Sequence, residues 1–126
     1  MKYIFKLNFN YIEWCWLPVP ITFSIQENST SFSLTQLPQE AQKIKLYVCL
    51  LAGDCKTGGS LVTWSLYTRK DIIKISGLPY SQNAWNINSL NCSLKLDERK
   101  IIQISRQGNY PNSINFGITV EVLGYK

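Results

Sequence analysis

Aromatic and amide side chains are the residues of this sequence best suited to holding a ligand. Tyr80, Gln82, Asn83, Trp85, Asn86 and Asn88 fall in one stretch without strand periodicity. Gly108, Asn109, Tyr110, Pro111 and Asn112 fall in another. A sugar ring has an apolar face and a rim of hydroxyls. An indole or phenol ring covers the face, and amides bond the rim. Loops displayed by a rigid scaffold are where such groups gather. Tyr80, Asn83, Trp85, Asn86, Asn109 and Tyr110 are therefore the candidate ligand-binding residues. A large aromatic in a loop also folds back as a core plug, and Ala84 and Ile87 beside Trp85 favour that role for it. Gly108, Asn109 and Pro111 mark Tyr110 as part of a surface turn.

The cysteines are Cys15, Cys49, Cys55 and Cys92. Cys49 and Cys55 flank a loop containing Gly53, and such a loop brings two Cα atoms within bonding reach, so this pair is the candidate disulfide. No Cys-x-x-Cys pair exists, which argues against zinc; no metal and no cofactor are expected. Cys92 shares the parity of Leu90, Leu94 and Leu96 and reads as a buried thiol. Asn28-Ser29-Thr30 and Asn91-Cys92-Ser93 fit the N-glycosylation pattern. Asn28 sits in a turn, where an acceptor belongs, and Asn91 in a strand. A disulfide and glycosylation would both place the chain outside the cell, so a secreted or extracellular protein is the expectation.

Catalysis finds little to work with. The chain has no histidine, the residue behind most triads and most general bases at neutral pH. Its acids are Glu13, Glu27, Glu40, Asp54, Asp71, Asp97, Glu98 and Glu121. A glycosidase needs two carboxylates about 5 to 10 Å apart in a cleft, and no pair is singled out. Asp97 and Glu98 are neighbours in a turn and read as solvated. The expectation is a protein that is not an enzyme.

The formal net charge is +5. The longest basic runs are the pairs Arg69-Lys70 and Arg99-Lys100. Scattered charge of this kind argues against nucleic acid, whose binders gather a patch or stripe. Lys43 and Lys45 share a strand face, with Lys74 a candidate neighbour. No apolar stretch reaches the roughly 18 residues of a spanning helix.

These side chains need a scaffold, and the sequence writes one in period two. Charged residues are only 17% and hydrophobic ones 45% of 126 residues, enough for one domain with a real core. Ile21, Phe23 and Ile25 alternate with Thr22 and Ser24. Ile44, Leu46, Val48 and Leu50 point one way, and Lys43, Lys45, Tyr47 and Cys49 the other. Val62, Trp64 and Leu66 share a face. Ile72 to Ser76 follows the Arg69-Lys70-Asp71 turn, and Asp97-Glu98-Arg99 reads as a hairpin into Lys100 to Ser105. Ile114, Phe116, Ile118, Val120 and Val122 face inward at the end. The pattern predicts an all-β, antiparallel, jelly-roll-like sandwich of eight or nine strands. It divides as residues 1–16, an extension or first strand, and residues 17–126, the domain. Tyr3 to Ile12 alternates as a strand would, and it makes a poor signal peptide because Asn8, Asn10 and Glu13 interrupt it.

The run Gln82 to Asn91, the turn Asp97-Glu98-Arg99-Lys100 and the closing Ile118 to Tyr125 resemble a β-sandwich domain of predicted aquatic-invertebrate proteins. That resemblance covers Leu17 to Lys126 and implies a fold but no activity. The eight-strand pattern is also similar to the jelly-roll heads of complement-like and tumour-necrosis-factor-like proteins.

Two functions fit. The first is a non-catalytic binding or adhesion module that recognises a carbohydrate or glycoprotein. The second is a structural head of a fibre, capsid or trimeric protein, a homo-oligomer without a ligand site.

Overall fold

The computed structural model describes residues 13–25, 29–52, 62–77, 86–107 and 116–126. Eight strands run through them: β1 Cys15–Ile25, β2 Ser29–Ser33, β3 Lys43–Ala52, β4 Val62–Tyr67, β5 Ile72–Gly77, β6 Asn86–Lys95, β7 Ile101–Gln107 and β8 Phe116–Tyr125. One sheet has the order β1-β8-β3-β6, the other β2-β7-β4-β5, and every described pairing is antiparallel. The logic is that of a long hairpin rolled up. β1 pairs with β8, β2 with β7, β3 with β6 and β4 with β5; rolling then brings β8 against β3 and β7 against β4. This is a jelly-roll sandwich, as the alternation predicts.

The inward faces meet in one core. Ile44, Leu46, Val48 and Leu50 of β3 pack with Trp64 and Leu66 of β4, Ile102 and Ile104 of β7, and Ile118, Val120 and Val122 of β8, all buried. β-branched and leucine side chains on one strand face supply this area without polar atoms to satisfy. At the β1–β2 side the Phe23 and Phe32 rings stack across the two sheets with centroids 3.9 Å apart.

The two sheets also exchange strands at a corner, and here the hairpin expectation is corrected. Lys95 pairs with Lys43 in one sheet, whereas Ile101 pairs with Ser33 in the other. The turn between them is a crossover, and Asp97 anchors it rather than lying in solvent. Its carboxylate is buried and accepts from the Arg69 amide at 3.0 Å, the Arg99 amide at 2.9 Å and the Arg99 guanidinium at 3.0 Å. The Arg99 bond holds that carboxyl well below the usual carboxylate range. Lys100 completes the turn at φ 57°, a left-handed conformation that L-residues adopt at a cost.

Two other boundaries move. β1 begins at Cys15, because Cys15 and Trp16 pair with Tyr125 and Gly124. Asn86 and Asn88 belong to β6, opposite Ala52 and Leu50, and not to a loop. Tyr3 to Ile12, Ile114 and the Phe116 side chain lie outside the described residues.

Candidate ligand-binding face

The outer face of the β1-β8-β3-β6 sheet follows from register. Across its four strands the row Trp16, Gly124, Lys45, Ser93 is followed by Thr22, Glu121, Tyr47, Asn91 and then by Ser24, Thr119, Cys49, Ser89. Every residue between these on β3 is buried in the core, so these side chains point away from it.

Two irregularities shape the aromatic end of that face. On β8 Leu123 is an extra residue between the pairs Leu46–Val122 and Lys45–Gly124. One extra residue reverses the alternation, which puts Gly124 on the outer face and turns Tyr125 toward the core side, where it packs. On β1 the segment Leu17 to Pro20 bulges out between the Trp16–Gly124 and Ile21–Val122 pairs. Pro18 and Pro20 lack the amides a ladder needs, and an edge strand is where a sheet tolerates them.

Trp16 uses the space that Gly124 leaves. A Cβ on Gly124 would stand 2.9 Å from Trp16 Cε3 and 2.7 Å from the Cys15 carbonyl oxygen. The indole remains 60% exposed. Trp14, half-buried, stands beside it with ring centroids 6.2 Å apart and planes inclined at 33°. The Lys126 ammonium lies 4.8 Å from the Trp14 centroid and the Lys45 ammonium 5.5 Å. Each such contact is worth about 0.5–1 kcal/mol at an exposed site, so two lysines help to hold the ring.

At the same end a hollow of about 370 Å³ is lined by Gln42, Lys43, Lys70, Lys95, Leu96 and Lys126. Among the described residues no group of acids, cysteines and histidines stands ready for a metal, and no helix is long and apolar enough to cross a membrane.

Of the sequence-selected residues, Tyr80, Asn83, Trp85, Asn109 and Tyr110 lie outside the described residues, as does the Asn86 side chain. Cys49 is a free thiol on the outer face, and its expected partner Cys55 is outside the described residues. Asn91 is exposed on that same face opposite Tyr47, while Asn28 is outside the described residues. Cys92 is partly buried against the core, and burial pushes its thiol up. Trp14 and Trp16 were legible in principle: two tryptophans spaced by two share a strand face.

No family model matches the chain, and no curated protein matches it; the resemblance to an invertebrate β-sandwich domain finds no support there. Among solved structures it is similar to the carbohydrate-binding module TmCBM61, determined with β-1,4-galactotriose bound. The identity is 12%, the TM-score 0.42, and the match covers 87% of this chain. The chain spans 65% of that structure's length. A likeness of this degree says nothing about a ligand for this chain.

Proposed function

We propose that the domain is a non-catalytic binding module that recognises a carbohydrate on the outer face of the β1-β8-β3-β6 sheet. One observation carries this reading: the exposed Trp16 indole seated on Gly124, with Trp14 beside it. An exposed indole offers a rigid apolar surface at little entropic cost, which matches the C–H face of a pyranose. Ser93 in the same row and Thr22, Tyr47 and Asn91 in the next supply the donors and acceptors that hydroxyls need. Apart from Trp14, which precedes β1, the residues sit on strands, so most of the platform is fixed before the ligand arrives.

A glycan array tests the reading. The wild-type domain should retain a defined set of oligosaccharides, and Trp16→Ala should lose them without a change in melting temperature. A full array without a hit, from folded protein, contradicts it.

The assembly reading rests on a different feature, the exposure of Val19 at 76% on the same strand as the exposed Trp16. Sedimentation separates the two. A stable oligomer that Trp16→Ala dissolves would assign this patch to self-association.

A further inference from the structure

We infer that the hollow beside the tryptophans binds an anionic substituent, a carboxylate or sulfate, of the saccharide that the aromatic pair holds; the inference rests on the carbohydrate reading of this face. Lys43 and Lys95 are direct cross-strand partners, an arrangement of like charges that destabilises a sheet. Lys126 extends the same ladder, exchanging amide bonds with Lys43 at 3.0 Å each way, and Lys70 reaches the hollow from the β4–β5 turn.

Among the described residues the nearby carboxylates are directed to other partners than the Lys43, Lys70 and Lys95 ammoniums. Asp97 is taken up by Arg99, and Glu98 by Arg69 at 3.3 Å. Asp71 spends its two oxygens on the amides of Ile72 and Lys95. Glu40, with Asp97 and Glu98, lines an adjoining hollow that Lys70 shares. Lys43, Lys70 and Lys95 make no ion pair among the described residues.

The hollow is also firmly built. Thr68 Oγ1 donates to the Lys95 carbonyl at 2.8 Å, the Leu96 amide to the Gln42 carbonyl at 2.8 Å, and the Gln42 amide to the Lys126 carbonyl at 2.8 Å. These bonds tie the β4–β5 turn, β6 and the end of β8 into one rim. Lysines kept together on a fixed rim form a pre-organised anion site.

Lys126 joins the two parts of the surface, since it lines the hollow and stands 4.8 Å from the Trp14 centroid. A sugar ring on the tryptophans therefore places a charged substituent within the lysines' reach. A nucleic acid would need cations along a track. Here they gather in one corner, and beyond Lys45 in the next row Glu121 stands in the row after, where a phosphate further along would meet its charge.

The test uses matched probes: a glucuronate oligosaccharide and its carboxyl-reduced form, a sulfated oligosaccharide and its desulfated form, and single-stranded oligonucleotide of equal charge. Wild-type domain should bind at least one acidic form about tenfold tighter than its neutral counterpart, with the advantage fading as salt rises. Which arm shows it distinguishes carboxylate from sulfate. Lys43→Gln with Lys95→Gln should erase the advantage and keep the neutral affinity, and Trp16→Ala should abolish both. Equal affinity for charged and neutral forms overturns this inference and leaves the carbohydrate reading standing. Binding of none of the four saccharides, alongside an empty glycan array, removes both. Oligonucleotide bound more tightly than every saccharide also overturns it and makes this a nucleic-acid surface.

Discussion

The Trp16 indole rests against Gly124 so closely that a Cβ on the glycine would stand 2.9 Å from the ring's Cε3. The same Cβ would meet the Cys15 carbonyl oxygen at 2.7 Å, and a main-chain atom cannot swing aside as a side chain does. Gly124→Ala should therefore cost about 1–3 kcal/mol, the range for overpacking, and displace Trp16. Chemical denaturation read by tryptophan fluorescence checks it. An unchanged midpoint would mean that the two strands do not approach as described.

Trp16 and Trp64 should respond oppositely to truncation. Trp64 is 1% exposed in the core, and Trp64→Ala should lose about 3–5 kcal/mol. Trp16→Ala should change stability by less than about 0.5 kcal/mol, as exposed substitutions do. Thermal melts of the two variants side by side decide this, and a large loss at Trp16 would make it a structural residue.

Asp97 should make the fold acid-sensitive. Its carboxyl is held low by Arg99, below an unfolded value of about 3.9. The unfolded chain then binds the proton more readily, so the contribution is whole above the unfolded value and is lost as pH falls toward the folded one. Asp97→Asn should lower stability at pH 7 by about 1.5–3 kcal/mol, the scale of hydrogen bonds to a charged group. It should also flatten the decline of stability below about pH 4. Parallel pH curves for wild type and variant would contradict this.

The thiols should differ in rate. Cys15 is exposed, whereas Cys92 is partly buried and its thiol is pushed up by that burial. The thiolate is the reactive form, so iodoacetamide at pH 8 should modify Cys15 before Cys92. Peptide mapping over time gives the order. Faster labelling of Cys92 would place it at the surface.

Much of the roll is legible as period two. β3 and β8 read directly as core strands, because Ile44 to Leu50 and Ile118 to Val122 alternate without a break. The corner at Asp97 was not legible, since a turn between two strands looks the same whether they pair or part. Only the partners of Lys95 and Ile101, in different sheets, decide it. The reversal at Leu123 escaped for a related reason: a bulge depends on the facing strand. The Trp14–Trp16 pair lies in a segment that reads as an extension or a first strand, and its role depends on Gly124, more than a hundred residues away. Tyr80, Trp85 and Tyr110, which the sequence reads as loop aromatics and which lie outside the described residues, are the rival location for a ligand.

The indole N–H signals of the four tryptophans, Trp14, Trp16, Trp64 and Trp85, separate those locations in one experiment. With each signal assigned by Trp→Phe replacement, the domain is titrated with an oligosaccharide retained on the array and followed by ¹H–¹⁵N correlation spectra. A ligand on the sheet face moves the Trp14 and Trp16 signals and leaves Trp64 in place. Movement of Trp85 alone, with Trp14 and Trp16 unshifted at saturation, would contradict the account and put the ligand on the loops.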